Sequence, residues 1–298
     1  MNYLVLGGGI SPEKDVSHRS ATAVKQALVA IGHTVTYLDP ADKSTEELIE
    51  QAAKYDGVFP ILHGIGGEDG ALQTEFDTAE IAYFGPRPDA CRNTFDKAVF
   101  KRLLEAHSLP TPRWNIISAN QLATEPLTKQ PFVLKPISGG SSIDTFIVRQ
   151  IPFDDEPLLE ALNRYGTMLI EELIVGHEVT VGILKDTALP VVEIIPPADQ
   201  DFDYENKYNG ATTELCPPEN VSDEQQATAQ LLALQVHRIS DCGHLSRTDI
   251  MIDSDGHHFI IDTNTMPGLT DQSLFPKAAA TAGYSWTELV EQFTKLIK

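Results

Sequence analysis

Cysteine is scarce in this chain. Only Cys91, Cys216 and Cys242 occur among 298 residues, and none sits in a CxxC pair. A disulfide framework and a zinc–thiolate centre are therefore not expected, and a reducing, cytoplasmic setting is. Basic residues are also few, with 22 Lys+Arg against 43 Asp+Glu and a formal charge of −21. Such a surface repels phosphate backbones and anionic lipid, which argues against nucleic-acid and membrane partners. No apolar run approaches the roughly 18 residues of a membrane span. The opening MNYLVLGGGISPEKDVS lacks the basic start of a signal peptide. No GxxxxGK(S/T) run exists, so there is no P-loop. A GxGxxG fingerprint would need glycines at 7, 9 and 12, but position 12 is proline. That undercuts a dinucleotide oxidoreductase, for which Asp39 would have been the ribose ligand.

What is present suits an enzyme of small molecules. The hydrophobic fraction, 42%, can fill sizeable cores over two to three domains. In the first 85 or so residues strand signals (YLVLGGG, TVTYLD, GVFPIL) alternate with helical ones (SHRSATAVKQALVAIG, STEELIEQAAKY), the pattern of a parallel α/β sheet. A Gly/Pro-rich hinge then leads to one helix from Phe95 to His107, followed by closely spaced strands from RWNII to LPVVEII. The polar stretch from Pro196 to Glu219 reads as a loop, and loops longer than about 12–15 residues are often lids. A helix N-capped by Ser222, a strand pair and a terminal helix, SWTELVEQFTKLIK, complete an α+β body.

The strand pair carries the sharpest local signal. In SRTDIMIDSDGHHFIIDTN, Asp255-Gly256 marks a hairpin turn. A two- or four-residue loop sets Asp249 opposite Asp262 and Arg247 opposite Asn264, whereas a three-residue loop breaks that register. Opposed carboxylates repel at Cβ separations of about 5 Å. With the Asn264 oxygen beside them they call for a cation, and hard oxygen donors suit Mg²⁺. Ile250, Ile252, Phe259 and Ile261 are expected on the opposite, packed face. An acidic hairpin pointing at solvent is the bland alternative.

Other candidates stand alone less well. In FVLKPISGGSSI, Lys135 ends an apolar strand before a Gly/Ser loop able to cover phosphates with its N–H groups. Lys97, opening DKAVFK, and Lys207, in the long loop, are further cations, though a helical lysine is usually a solvated one. Glu13, after LGGGIS, suits an ammonium rather than an anion. His63, in ILHGIGGEDGALQ, reads first as a structural hydrogen-bond partner. Glu171, Glu172 and Glu178, in LIEELIVGHEV, form an acidic connection able to grip adenine through backbone and ribose through carboxylate.

Taken together, GGGISPEKDVS, LHGIGGEDGALQ, DKAVFK, FVLKPISGGSS, EVTVGIL, DYENKY, SRTDIMID and DTNTMPGLTDQSL follow the order and spacing of D-alanine–D-alanine ligases of the ATP-grasp superfamily. The resemblance spans nearly the whole chain. It implies an N-terminal α/β domain (1–86) followed by two β-rich ATP-grasp subdomains (87–174 and 175–298), with a lid at about 197–219. It implies that two D-alanines are joined in two ATP-driven steps through an acyl phosphate, for peptidoglycan precursor synthesis. On that likeness Lys97, Lys135 and Lys207 meet phosphates. Glu171 and the backbone of Glu172 to Ile174 receive adenine, and Glu178 receives ribose. Asp249, Asp262 and Asn264 hold two Mg²⁺ ions, with Mn²⁺ a substitute. Glu13 anchors the first D-alanine, linked through Ser141 and Tyr208, and His63 lies at the substrate. Arg247 and the Gly268 N–H stabilise the oxyanion, and Ser273 and Leu274 take the second carboxylate. A homodimer is the assembly to test.

The sequence also departs from the family. Asp262 stands where glutamate is usual, Asp144 where glycine is usual, and VSHRSA drops a glycine. The alternatives are a ligase that takes D-lactate, D-serine or another amino acid second, or a nucleotide binder with little turnover. The Lys207-Tyr208 pair favours the dipeptide-forming type.

Overall fold

The computed structural model describes residues 1–197 and 212–297. Lys207 and Tyr208 lie outside the described residues. The N-terminal part follows the sequence closely. Strands β1 (Asn2–Leu6), β2 (Thr34–Leu38) and β3 (Gly57–Pro60) form a parallel sheet in the order β2-β1-β3. Helix α1 (Lys14–Ala30) joins β1 to β2, and the chain leaves it through Gly32 at φ 92°, the left-handed exit that glycine tolerates. Helix α2 (Thr45–Ala52) opens on a Ser44–Glu47 capping box.

The segments ALQTEFDT, EPLLEALNRY and LFPKAAAT, to which the sequence reading gives no element, are helices α3 (Ala71–Thr78), α6 (Glu156–Tyr165) and α8 (Leu274–Thr281). The helix expected from Phe95 to His107 is α5 (Lys97–Ala106), and another, α4 (Pro88–Phe95), occupies the stretch expected as a hinge. Asp96 separates the two: its backbone turns extended and its carboxylate accepts the N–H groups of Ala98 and Val99, each at 2.9 Å.

A second, antiparallel sheet contains β4 (Trp114–Ile117), β5 (Phe132–Lys135), β6 (Phe146–Val148) and β7 (Met168–Glu172), in the order β4-β7-β5-β6. The third contains β8 (Gly176–Leu184), β9 (Thr187–Ala188), β10 (Val192–Ile195), β11 (Thr213–Leu215), β12 (Leu245–Asp253) and β13 (His258–Asn264). Its spine runs β11-β10-β8-β12-β13. Helix α7 (Asp223–Ile239), capped by Ser222 and Gln225, packs on it, and α9 (Trp286–Leu296) ends the described fold.

Two cores cross the expected boundaries. Tyr3, Phe59 and Phe84 share one apolar cluster with Leu184, Phe275 and Phe293. Phe100 and Leu104 of α5 pack with Val179, Val181 and Ile250 of the third sheet, not with the second. Helix α5 thus rests on the third sheet, while Lys97 and Lys101, on the same buried face, reach toward the second.

The β12–β13 hairpin differs instructively from expectation. Its loop has three residues: the Asp253 N–H bonds His257 O at 3.0 Å, and Gly256 sits at φ 85°. That loop alone would break the register. A β-bulge restores it, because Ile250 pairs with Ile260 while Asp249 pairs with Asp262, leaving Ile261 as the extra residue. Asp249 therefore opposes Asp262, and Arg247 opposes Asn264, as read from the sequence. The bulge also corrects the packed face. Ile250, Ile252 and Ile260 are fully buried, whereas Phe259 and Ile261 are half-buried.

Gly176, where β8 meets the end of β12, is tightly enclosed: a Cβ there would lie 1.9 Å from Ile252 O. Gly176→Ala must separate two backbones. The expected loss is about 2–4 kcal/mol, measured as a lowered urea midpoint with unchanged m-value. A loss within about 0.5 kcal/mol would contradict the packing.

Candidate active site

The three sheets surround one cavity of about 1130 Å³, and every site residue named above that is described lines it. The sequence spread these residues over some 260 positions, and the fold gathers them.

One wall is cationic. Lys97 and Lys101 lie one helical turn apart on α5, and the spacing puts both on one face. Lys135 ends β5 opposite them. All three are buried. Lys101 Nζ meets Glu171 Oε2 at 2.5 Å and Thr111 Oγ1 at 2.7 Å, and Lys135 Nζ meets Glu171 Oε1 at 2.5 Å. Lys97 Nζ donates to Gly139 O at 2.6 Å. Burial disfavours ionisation of Glu171, but the two lysines overcome it and hold its carboxyl down to about 2. Burial pushes Lys97 and Lys101 below the usual lysine range, opposed by Asp262 and by Glu171 respectively. Two ammonium groups thus share the Glu171 carboxylate with a third, Lys97, beside them, and an anion is the natural complement.

Glu171 lines the cavity where adenine was expected, but its carboxylate is the anchor of two lysines. The N–H groups of Glu172 and Leu173 are bonded to Arg113 O and Pro131 O, and the Glu172 side chain pairs with Arg113. That narrows the backbone donor for a base to Ile174.

The facing wall is acidic. Arg247 chelates Asp249 through Nε at 2.9 Å and Nη2 at 2.8 Å, and Thr180 Oγ1 donates to Asp249 at 2.5 Å. Asp262 Oδ1 accepts only the N–H of Thr263, at 2.9 Å, among the described residues. Asn264 Oδ1 accepts the Met266 N–H. Two opposed carboxylates and an amide oxygen form a hard-oxygen donor set that fits Mg²⁺, with Asp262 the least engaged of the three.

The third side comes from the N-terminal domain. Glu13, at the N-cap of α1, makes no cap bond, and its carboxylate accepts the Ser141 hydroxyl from the loop after β5. His63 is buried with Nε2 unpartnered among the described residues, and burial holds the ring below its ordinary pKa. Glu68, which the sequence reading left without a role, accepts the Gly64 N–H at 2.7 Å. Burial, and then Glu13, push Glu68 up to about 8, so it is largely protonated at neutral pH. Ser273 precedes α8 without capping it, and bonds Thr270 instead at 2.8 Å. The α8 start at Leu274, with its N–H groups and dipole, faces the cavity.

Two residues at the lysine cluster were missed in the sequence, Lys101 and Thr111. The signal for Lys101 was its four-residue spacing from Lys97.

A cationic pocket and an opposed acidic pair between two antiparallel sheets suit a phosphate-bearing ligand with its divalent cation. The family model for the D-ala D-ala ligase C-terminus matches residues 103–295. The chain is 40% identical to the D-alanine–D-alanine ligase of Nitratidesulfovibrio vulgaris strain Hildenborough, covering 99% of this chain and 98% of that one. It is 35% identical to the ligase of Gloeobacter violaceus, covering 98% of each. The Bacillus anthracis ligase complexed with ATP superposes with TM-score 0.84 at 27% identity, covering 99% of this chain and 97% of that one. The chain belongs to the D-alanine–D-alanine ligase family.

The Glu171 anchor has a pH signature. Its folded pKa is depressed below its ordinary 4.5, so its contribution is present above that value and is lost as pH falls toward about 2. Glu171→Gln strands two buried lysines. It should cost about 3–5 kcal/mol at pH 7, and should flatten the acid-side fall of stability seen in the parent. An unchanged acid limb would refute the anchor.

Proposed function

We propose that the cavity joins two D-alanines to D-alanyl-D-alanine with conversion of ATP to ADP and phosphate, supplying a precursor of peptidoglycan. The observation that carries this reading is the pair of buried lysines on Glu171, with Lys97 beside them, facing the opposed Asp249 and Asp262 within one cavity.

A carboxylate is unreactive toward an amine until one oxygen becomes part of a good leaving group. The first D-alanine's carboxylate attacks the γ-phosphorus and ADP departs, leaving an acyl phosphate. The second D-alanine's amine, as its free base, attacks the acyl carbon. The tetrahedral intermediate then expels phosphate. Lys97 and Lys135 bind the nucleotide phosphates, with Lys207 completing the set. Ile174 receives the base and Glu178 the ribose. Asp249, Asp262 and Asn264 hold Mg²⁺, two ions in the full assembly with Mn²⁺ a substitute, which neutralises phosphate charge when bound. Asp262 is one methylene shorter than glutamate, so this ligand approaches from farther back.

Glu13 binds the ammonium of the first D-alanine, held by Ser141, with His63 Nε2 as a neighbouring hydrogen-bond partner; the resemblance adds Tyr208 to this link. Arg247, oriented by Asp249, and the Gly268 N–H stabilise the oxyanion. Ser273 and Leu274, at the start of α8, hold the second substrate's carboxylate. Exclusion of water protects the acyl phosphate from hydrolysis. The partners are small molecules in the cytoplasm, not nucleic acid or membrane, and a homodimer is the assembly to test. No helix among the described residues is long and apolar enough to cross a membrane.

The test is phosphate release from Mg·ATP with and without D-alanine, with products weighed by mass spectrometry and D-serine and D-lactate run in parallel. D-alanine-dependent release with the D-alanyl-D-alanine mass is expected. Turnover only with D-lactate or D-serine added to D-alanine would change the second substrate, and no amino-acid-dependent release would overturn the reading. Glu13→Gln removes the charge but keeps an acceptor for Ser141. It should raise KM for the first D-alanine by about tenfold or more, with KM for ATP nearly unchanged. An ATP-only defect would contradict that assignment.

A further inference from the structure

The loop joining β5 to β6 covers the cationic wall, and among the described residues three side-chain contacts fasten it. Lys97 holds the Gly139 carbonyl, and Ser141 binds Glu13. The third fastening is made by Asp144, whose Oδ2 accepts the Tyr165 hydroxyl at 2.5 Å and whose Oδ1 meets Arg164 Nη2 at 2.7 Å. Arg164 and Tyr165 are the last two residues of α6, and the guanidinium also lies 5.2 Å from the Tyr165 ring centroid. Ser141, Ser142, Ile143 and Thr145 line the cavity, but Asp144 does not. Its carboxylate is directed to α6, away from the phosphate side.

The backbone explains why the residue type matters. Asp144 has φ 54°, and Ser141 and Ser142 have φ 53° and 57°. Three left-handed non-glycine residues in four positions are unfavourable unless other contacts hold them, and aspartate tolerates this region better than most. Glycine would adopt the same φ freely but would leave the loop untied at this end.

Resting on the nucleotide-binding reading above, we propose that Asp144 is a positioning residue that latches the phosphate-covering loop to the C-terminal end of α6. The loop is thereby ordered over the phosphate site before nucleotide arrives. Binding then avoids the entropy cost of arranging it. The latch acts on nucleotide affinity and not on the reacting atoms. The Asp144, Arg164 and Tyr165 side chains are partly exposed, so added salt weakens the ionic half of the latch.

The experiment measures Mg·ATP affinity by calorimetry on the full chain without D-alanine, so that it does not depend on ligation. Asp144→Gly, the α6 double variant Arg164→Gln/Tyr165→Phe, and the triple combination are compared with the parent. Asp144→Gly and the double variant should each weaken Mg·ATP binding by about three- to tenfold. The triple variant should be no weaker than Asp144→Gly, since both sets remove one interaction. For the α6 double variant, kcat at saturating ATP should stay within about twofold of the parent while KM for ATP rises. Parent-like affinity in the double variant, parent-like affinity in Asp144→Gly, or losses that multiply in the triple variant would each overturn the latch. A parent that binds Mg·ATP yet forms no dipeptide would remove the ligase reading alone, and the binding comparison would still decide the latch.

Discussion

Three buried ammonium groups around a single carboxylate are the constraint on which the rest of the site depends. Lys101 and Lys135 satisfy Glu171, and Lys97 adds a further charge beside them. Such a cluster is costly to leave without an anion. It dictates where α5 must lie: Phe100 and Leu104 anchor its buried face in the third sheet, and Lys97 and Lys101, along one edge of that same face, reach toward β5 and β7. Asp96 starts the helix at the right residue by capping it. A shift of one residue would rotate both lysines by about 100° around the helix axis, away from Glu171.

The acidic wall is built by compensating irregularities. A three-residue turn displaces the hairpin register by one, and the bulge at Ile261 displaces it back before the functional end. Ile250, Ile252 and Ile260 therefore remain in the core while Asp249, Asp262 and Asn264 face the cavity. A bulge beside a site re-aims side chains without unpairing the strand. Arg247 then neutralises Asp249 and is itself oriented by it. Glu13 and Ser141 bridge the remaining side, so a hydrogen bond links the N-terminal domain to the loop after β5.

The parallel sheet and the strand-ending lysine were legible because alternation and spacing encode them directly. The aspartate pairing, expected from a two- or four-residue loop, is reached instead through a three-residue loop and a bulge. The bulge was not legible, since it arises from ladder hydrogen bonds and leaves no residue-type mark at Ile261. Helix α6 carried a usable signal, Pro157 in its first turn and Gly166 beyond its end, masked by the strands on either side. Helix α3 was hidden by the glycine-rich run before it. Lys101 was hidden by its type, because lysine on a helix is usually solvated and only tertiary packing buries it. The resemblance supplied residue roles that local pattern could not, and the geometry changed the weight of one: Glu171 serves the lysines first.

The measurement that tests the central claim most directly is the shift in unfolding temperature on adding Mg·ATP, compared with adenosine at equal concentration. A ligand that completes the charge of the lysine cluster stabilises the folded chain by mass action, about 2.7 kcal/mol at a hundredfold excess over Kd. A rise of several degrees with Mg·ATP, and little with adenosine, is the predicted result. Equal shifts with the two ligands, or none with Mg·ATP, would contradict a cavity organised around phosphate.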